Sequence, residues 1–129
     1  MSDPALAAIP SQSELKHLSW DQIPTETVNA LFDRKLLVGD RIMVAHIHLK
    51  KGAVVPQHSH HNEQISYALS GTLQFTINGR ELLLKPGEFL CIPPHMPHAA
   101  VAPEDFIGID IFTPPRADWL DKTDTYLRR

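Results

Sequence analysis

Apolar and polar residues alternate over short runs along most of this chain, a pattern typical of half-buried β-strands. In the run 41–49 the apolar side chains fall at every second position from Met43 to Leu49. Asn78 and Gly79 stand between two such runs and indicate a hairpin, because a type I′ turn needs positive φ at both central residues. The pattern therefore predicts an all-β protein.

Strands are predicted at 34–38, 41–49, 64–69, 72–77, 81–84, 89–92, 99–102 and 106–112. Short, evenly spaced strands separated by turn residues are typical of a sandwich or barrel. We predict one domain over 20–129, with a barrel core at about 34–113 and a flexible arm over 1–19. The stretch 25–28 is expected to form one helical turn, and 118–126 a short helix or packed tail anchored by Trp119.

Composition excludes several classes of protein. The 129 residues suit one domain, and 43% hydrophobic with 21% charged residues is ordinary for a globular chain. The net charge of −3 and the scattered basic residues argue against a nucleic-acid partner. No apolar run approaches the roughly 20 residues of a membrane span, and no secretory signal stands at the start. The single cysteine agrees with a reducing compartment, so we expect a cytoplasmic protein.

Histidines form the candidate site. His58, His60 and Gln64 have equal parity, so in an extended segment their side chains point to one face. A later unit supplies His98. Imidazole nitrogens and an amide oxygen suit first-row transition metals in a site with an open position. We therefore predict one divalent transition-metal ion per chain, with zinc, nickel, manganese and iron left open.

Neighbouring residues are interpreted differently. Glu63 has the opposite parity to the ligands and should point outwards, while Ser66 and Ala68 should leave room inside the barrel. We interpret His61 and His95 as loop residues, and His46 and His48 as facing solvent or a subunit contact. Tyr67 is expected in the core, and Cys91 as a small buried hydrophobic residue.

Two stretches resemble the cupin motifs: Gly52 to Gln64, followed by Gly71, is similar to the first, and 87–98 to the second. The broad motif usually has Glu at the place of Gln64. The resemblance implies a single-domain cupin, a jelly-roll β-barrel that is commonly a homodimer with a metal inside. The tail Asp-Ile-Phe-Thr-Pro-Pro-Arg over 110–116 resembles that of the KdgF-like group of pectin and alginate degradation proteins.

The KdgF-like resemblance implies a function and three pocket residues. Such proteins convert 4,5-unsaturated monouronates, small acidic sugars, to linear 5-keto-4-deoxyuronate. Asp110, Phe112 and Arg116 are implied beside the metal, and we assign them proton transfer, an apolar wall and a bidentate carboxylate clamp. An ordinary ion pair between Asp110 and Arg116, with Phe112 in the core, is the structural alternative. A metal-dependent dioxygenase and a non-catalytic sugar- or acid-binding cupin are the functional alternatives.

Overall fold

Two antiparallel sheets face each other across the hydrophobic core in the computed structural model, which describes residues 14–128. The strands within this range are β1 (Glu26–Asn29), β2 (Phe32–Val38), β3 (Met43–Leu49), β4 (Val54–His58), β5 (Glu63–Ser70), β6 (Leu73–Ile77), β7 (Arg80–Leu84), β8 (Phe89–Ile92), β9 (His98–Val101) and β10 (Phe106–Thr113). One sheet has the order β1-β2-β3-β10-β5-β8, and the other β4-β9-β6-β7. The predicted all-β fold is confirmed. Residues 1–13 of the predicted arm lie outside the described range.

Alternation along the strands builds the core. In β3 the side chains from Met43 to Leu49 are buried at every second position, as predicted. The hairpin between β6 and β7 is also confirmed, since Asn78 and Gly79 have φ values of 50° and 78°. Gly71 has a φ of 72°, and any side chain there would collide with the backbone carbonyl of Asp105.

Two strands were missed by the sequence pattern. The helical turn expected at 25–28 is wrong, because β1 occupies this stretch and pairs with β2. β4 pairs with β9 but is exposed at Val54, Pro56 and Gln57, so it shows no clear alternation. An edge strand with one weakly covered face carries little hydrophobic signal.

Two residues lie on the opposite face from the one predicted. Cys91 is exposed, and Tyr67 lies on the outer face of the six-stranded sheet, where its ring stacks on Phe89 at 4.4 Å between centroids. Gln64 is buried on the inner face, so odd-numbered residues of β5 point outwards. The same register places Cys91 opposite Ile65 on that outer face.

The C-terminal segment, which we define as residues 117–128, packs against β1 and β2. It begins with the short helix α1 (Ala117–Leu120), which agrees with the predicted helix or tail, and Trp119 is buried as expected. The fully buried Arg34 donates to Asp124 at 2.8 Å, and its guanidinium lies 4.3 Å from the Trp119 ring centre. No helix among residues 14–128 has the length and apolar character needed to cross a membrane.

Candidate active site

Three imidazoles meet inside the barrel, as the ligand prediction requires. His58 ends β4 and His98 begins β9, and the two are direct partners in the strand register. His60 lies in the loop before β5. One ring nitrogen from each histidine lies within 4.8 Å of the others. A single ion could contact all three.

Backbone carbonyls orient each ring in the same way. The Nδ1 atoms of His58 and His98 lie 2.8 Å from the carbonyl oxygens of Pro56 and Met96. A carbonyl oxygen only accepts, so Nδ1 carries the proton and Nε2 keeps its lone pair. The Nε2 of His98 is buried with no hydrogen-bond partner among the described residues. An unpartnered buried lone pair is costly, and a metal ion would satisfy it.

Gln64 brings its amide oxygen to the same place. Its Oε1 lies 3.1 Å from the Nε2 of His60, whose Nδ1 lies 3.0 Å from the carbonyl oxygen of Asn62. A neutral imidazole has one N–H, yet this ring faces two oxygen atoms that accept. One contact therefore lacks a proton, and a cation between Nε2 and Oε1 would make both contacts favourable.

Burial keeps the three rings neutral. It lowers the pKa of His58 to about 3 and that of His60 to about 4, with further lowering from the charges of Arg116 and His98. The pKa of His98 is also lowered, chiefly by burial. Neutral imidazole is the form that binds metals. Three imidazoles and one amide oxygen thus fit a divalent transition-metal ion.

Asp110 lies beside this set on β10. The strand register places it opposite Ser66, and Ser66 Oγ donates to its Oδ1 at 2.6 Å. The amide of Gln64 donates to the same Ser66 hydroxyl at 3.0 Å, so a hydrogen-bonded chain connects Gln64 to Asp110. Burial raises the pKa of Asp110 to about 6, against the lowering effects of Ser66 and Arg116. Its carboxyl can therefore hold or release a proton near neutral pH.

Arg116 pairs with Asp118 and not with Asp110, which contradicts the ion pair of the structural alternative, whereas Phe112 lies in the core as that alternative expects. Its Nε and Nη2 donate to the two carboxylate oxygens of Asp118 at 2.9 and 2.8 Å. Burial acts to lower the pKa of Arg116, but the contacts with Asp118 and Tyr126 outweigh this effect and raise the pKa overall. The guanidinium therefore stays charged. Because Asp118 occupies this side of the guanidinium, the bidentate clamp expected for a substrate is already taken by the protein.

Aromatic rings form the apolar part of the cavity wall. Phe112 is buried, its ring is 5.8 Å from that of His60, and the Arg116 guanidinium lies 5.1 Å from its centre. The cavity, of about 50 Å³, is lined by Phe112 and Arg116 together with Asp110 and Trp119. This size suits a compact ligand rather than a polymer chain.

Tyr126 is a site residue that the sequence pattern does not indicate. Its ring lies 4.7 Å from that of His58, and its hydroxyl accepts a hydrogen bond of 2.7 Å from Arg116 Nη2. It comes from the turns that follow α1, far from either cupin motif. The only available signal was an aromatic residue in the predicted packed tail.

The remaining histidines considered in the sequence, together with Glu63, lie away from the cluster of His58, His60 and His98. His46 and His48 are half-buried on the outer face of β3, and the ring of His46 contacts Trp20 at 5.4 Å. His61 and His95 are exposed in loops, as predicted, although the backbone N–H of His95 donates to the carbonyl of His60 at 2.7 Å. Glu63 is exposed and points away from the site.

Comparisons with known proteins agree with this architecture. Residues 45–112 match the cupin domain family. The chain is 32% identical over 103 residues to the pectin degradation protein KdgF of Dickeya dadantii (strain 3937), covering 78% of this chain and 94% of that protein.

Solved structures give the same relationship. KdgF from Halomonas sp. superposes with a TM-score of 0.77 at 28% identity, covering 82% of this chain and 99% of that one. An RmlC-like cupin from Shewanella frigidimarina NCIMB 400 gives 0.76 at 32% identity, covering 81% and 96%. The protein described here therefore belongs to the cupin family and is KdgF-like.

Proposed function

We propose that this protein is a metal-dependent enzyme that opens 4,5-unsaturated monouronates to the linear 5-keto-4-deoxyuronate. The observation that carries the proposal is the convergence of a neutral metal-ligand set and a carboxyl group of raised pKa on one small cavity. The ligands we assign are His58, His60, Gln64 and His98. The similarity to KdgF, whose name places it in pectin degradation, supports the choice of substrate.

Charge in the cavity favours a small acid. Arg116 and Asp118 form an ion pair and cancel. The four proposed ligands are neutral, so a divalent ion keeps both of its charges, and ionised Asp110 offsets one of them. One positive charge remains, which a monoanion such as a monouronate would balance.

The reaction requires a proton to move without any net oxidation. The hydroxyl on C1 loses its proton, the bond from C1 to the ring oxygen breaks, and C1 becomes an aldehyde carbonyl. The ring oxygen, attached to C5 of the double bond, becomes an enolate that takes a proton at C4 and leaves a ketone at C5. A bound divalent ion supplies Lewis acidity towards substrate oxygens.

Asp110 is assigned the proton transfer. As the carboxylate it accepts the proton of the C1 hydroxyl, and as the carboxylic acid it returns a proton towards C4. A pKa of about 6 makes both forms accessible near neutral pH. Ser66 holds Oδ1, so the second carboxyl oxygen is the one available to the substrate.

Phe112 and Arg116 are assigned to substrate binding. The buried Phe112 ring forms an apolar wall for the sugar, and Arg116 offers the part of its guanidinium that Asp118 does not occupy. The edge of the guanidinium formed by Nε and Nη2 is occupied by Asp118, so the substrate carboxylate would contact Arg116 from the Nη1 side. This contact still distinguishes an acid from a neutral sugar.

The test is turnover of a defined substrate. Metal-free protein is loaded separately with zinc, nickel, manganese and iron, then mixed with an unsaturated monouronate while its conjugated ultraviolet absorbance is followed. We expect faster loss with at least one metal, and loss of this acceleration in Asp110→Ala. No acceleration by any loaded form would leave a non-catalytic binding protein. Acceleration that survives both Asp110→Ala and Arg116→Ala would contradict the mechanism.

The assembly of the protein, its compartment and its domain limits are also proposals. The outer face of the six-stranded sheet exposes Ile65, Leu69 and Phe89, and such an apolar patch suits a second copy of the chain. We expect a homodimer through this face. Light scattering should show monomers for Phe89→Asp, with Leu83→Asp on the other sheet as the control. A cytoplasmic location, an arm over 1–19 and a domain over 20–129 remain predictions.

A further inference from the structure

Three polar groups from 116–126 meet at one side of the cavity. Arg116 and Tyr126 share a hydrogen bond of 2.7 Å, and both line the cavity together with Trp119. They belong to the C-terminal segment and the residue just before it. None of them is a proposed metal ligand.

These three side chains have more hydrogen-bond donors than the protein itself uses. The indole N–H of Trp119 is buried and makes no hydrogen bond of 3.5 Å or less among the described residues, although it lies close enough to the Tyr126 oxygen to lower the pKa of that hydroxyl. The Tyr126 oxygen accepts from Arg116, which leaves its own O–H to donate. The guanidinium bonds described use Nε and Nη2, so Nη1 remains as a third donor. A side of a cavity that offers donors without acceptors fits a ligand group that only accepts.

We infer that Trp119 and Tyr126, together with Arg116, form the subsite that binds the carboxylate of the substrate. A carboxylate has two oxygens that accept hydrogen bonds and no hydrogen to donate, which matches this set of donors. Asp118 lies on the far edge of the guanidinium, bonded to Nε and Nη2, so the carboxylate meets the other edge. The inference rests on the proposed function, because it names the end of the cavity that the acid group of that substrate occupies.

Trp119 and Tyr126 lie on the C-terminal segment and Arg116 directly before it, and we assign all three a role in specificity. The cupin domain match ends at residue 112, so Arg116, Trp119 and Tyr126 all lie beyond it. The Tyr126 ring packs on His58 at 4.7 Å, which places the subsite next to the histidine cluster. A monouronate could therefore present its carboxylate to Tyr126 while its ring oxygens lie near the histidines. The subsite selects acidic sugars by hydrogen bonding.

The experiment uses Trp119 as its own reporter. In the zinc-loaded Trp20→Phe protein the indole N–H of Trp119 is the single indole resonance, because the chain has 2 tryptophans. Galacturonate, a saturated monouronate that does not react, is titrated against galactose, its neutral counterpart. We expect galacturonate to move this N–H resonance downfield, as a new hydrogen bond to a carboxylate does, and galactose to leave it in place.

Variants then separate the hydroxyl from the ring. In Tyr126→Phe, which keeps the ring on His58, we expect galacturonate affinity to fall about tenfold, the loss of one hydrogen bond to a charged group. Galactose and zinc affinities should stay unchanged. Tyr67→Phe is the matched control, since Tyr67 lies on the outer face. Calorimetric titration measures all of these affinities.

Each result decides one point. Equal affinity for galacturonate and galactose, an N–H resonance that neither sugar moves, or equal weakening of both sugars by Tyr126→Phe would overturn the subsite. Turnover of the unsaturated substrate with Tyr126→Phe and parent equally active would overturn it as well, and leave the proposed function intact. Selective galacturonate binding without turnover by any metal form would overturn the proposed function and leave the subsite.

Discussion

The Nε2 of His60 and the Oε1 of Gln64 lie 3.1 Å apart, although the neutral ring has a single N–H for two accepting oxygen atoms. The other nitrogen of the ring contacts the carbonyl of Asn62 at 3.0 Å, and the imidazole is neutral at neutral pH because burial lowers its pKa to about 4. Gln64 cannot turn its amide without losing the bond from its Nε2 to Ser66. The arrangement is therefore preorganised for a cation.

Metal binding should stabilise the folded protein strongly. At a metal concentration about a hundred-fold above Kd, we expect the melting temperature to rise by about 10 °C for a domain of this size. Zinc titration followed by calorimetry measures the shift. His98→Ala should abolish it, while His61→Ala, a change in an exposed loop, should keep it. An equal shift in both variants would show that the metal binds elsewhere.

Replacing the neutral amide by a carboxylate tests the charge argument. Gln64→Glu should bind zinc about tenfold more tightly, because the anionic ligand attracts the ion. The same charge weakens the ion as a Lewis acid, so we expect kcat to fall while affinity rises. Chelator competition gives Kd, and the absorbance assay gives kcat. Tighter binding with an unchanged kcat would mean that the ligand charge does not matter to the reaction.

Side-chain parity predicts which candidate ligands cluster, but the structure brings them together in a different way. Equal parity brings His58, His60 and Gln64 to one face only if they lie in one extended segment. In the structure the chain turns between β4 and β5, so His58 belongs to one sheet and Gln64 to the other. The short connection brings these side chains together across the core, and strand periodicity alone could not show that.

Side-chain parity also predicts which residues of β5 face the core, provided that it is applied to every position of the strand. Gln64, Ser66 and Ala68 point inwards, as predicted. The prediction that Tyr67, in phase with Ile65 and Leu69, lies in the core is wrong, because these odd-numbered positions of β5 face outwards. Tyr126 could not be found, since it reaches His58 through tertiary packing of a tail without periodicity. Local patterns predict faces of strands but not long-range docking.

Asp110→Asn should stabilise the metal-free protein and remove its chemistry. Folding raises the pKa of Asp110 from 3.8 to about 6, so between these values the folded state holds a proton that the unfolded state has released. Stability therefore falls as pH rises through this window, and the full cost is present above about pH 6. At pH 8 we expect the variant to be more stable by on the order of 1–3 kcal/mol, shrinking towards pH 4.

Urea unfolding at both pH values measures this difference, with the exposed Asp121→Asn as the control. The metal-loaded Asp110→Asn variant should lose roughly a hundred-fold or more in kcat. Equal stability of parent and variant at pH 8 would show that burial of the carboxylate carries no cost.

Ser66→Ala should shift the pH dependence of turnover. The hydrogen bond from Ser66 Oγ to Asp110, at 2.6 Å, lowers the pKa of this carboxyl. Its removal leaves the raising effect of burial less opposed, so the acidic limb of the pH–rate profile should move to higher pH by roughly half to one unit. Ser70→Ala, at the exposed end of β5, is the control. An unshifted limb with reduced kcat would limit Ser66 to orienting the Gln64 amide.

The buried ion pair between Arg34 and Asp124 should hold the C-terminal segment in place. Both side chains are fully buried, and Nη1 of Arg34 donates to Oδ2 of Asp124 at 2.8 Å. Asp124→Ala leaves the Arg34 charge buried with only Glu26 as a carboxylate partner, so we expect a loss of about 3 kcal/mol in the free energy of unfolding. Arg128→Ala, which removes a partly exposed partner of Asp124, should cost less than about 1 kcal/mol.

Because Trp119 and Tyr126 lie on the C-terminal segment, Asp124→Ala should also weaken galacturonate binding. Zinc affinity, which is set by the strands and the loop before β5, should stay within about twofold of the parent. A parallel loss of zinc affinity would mean that the segment supports the metal ligands as well.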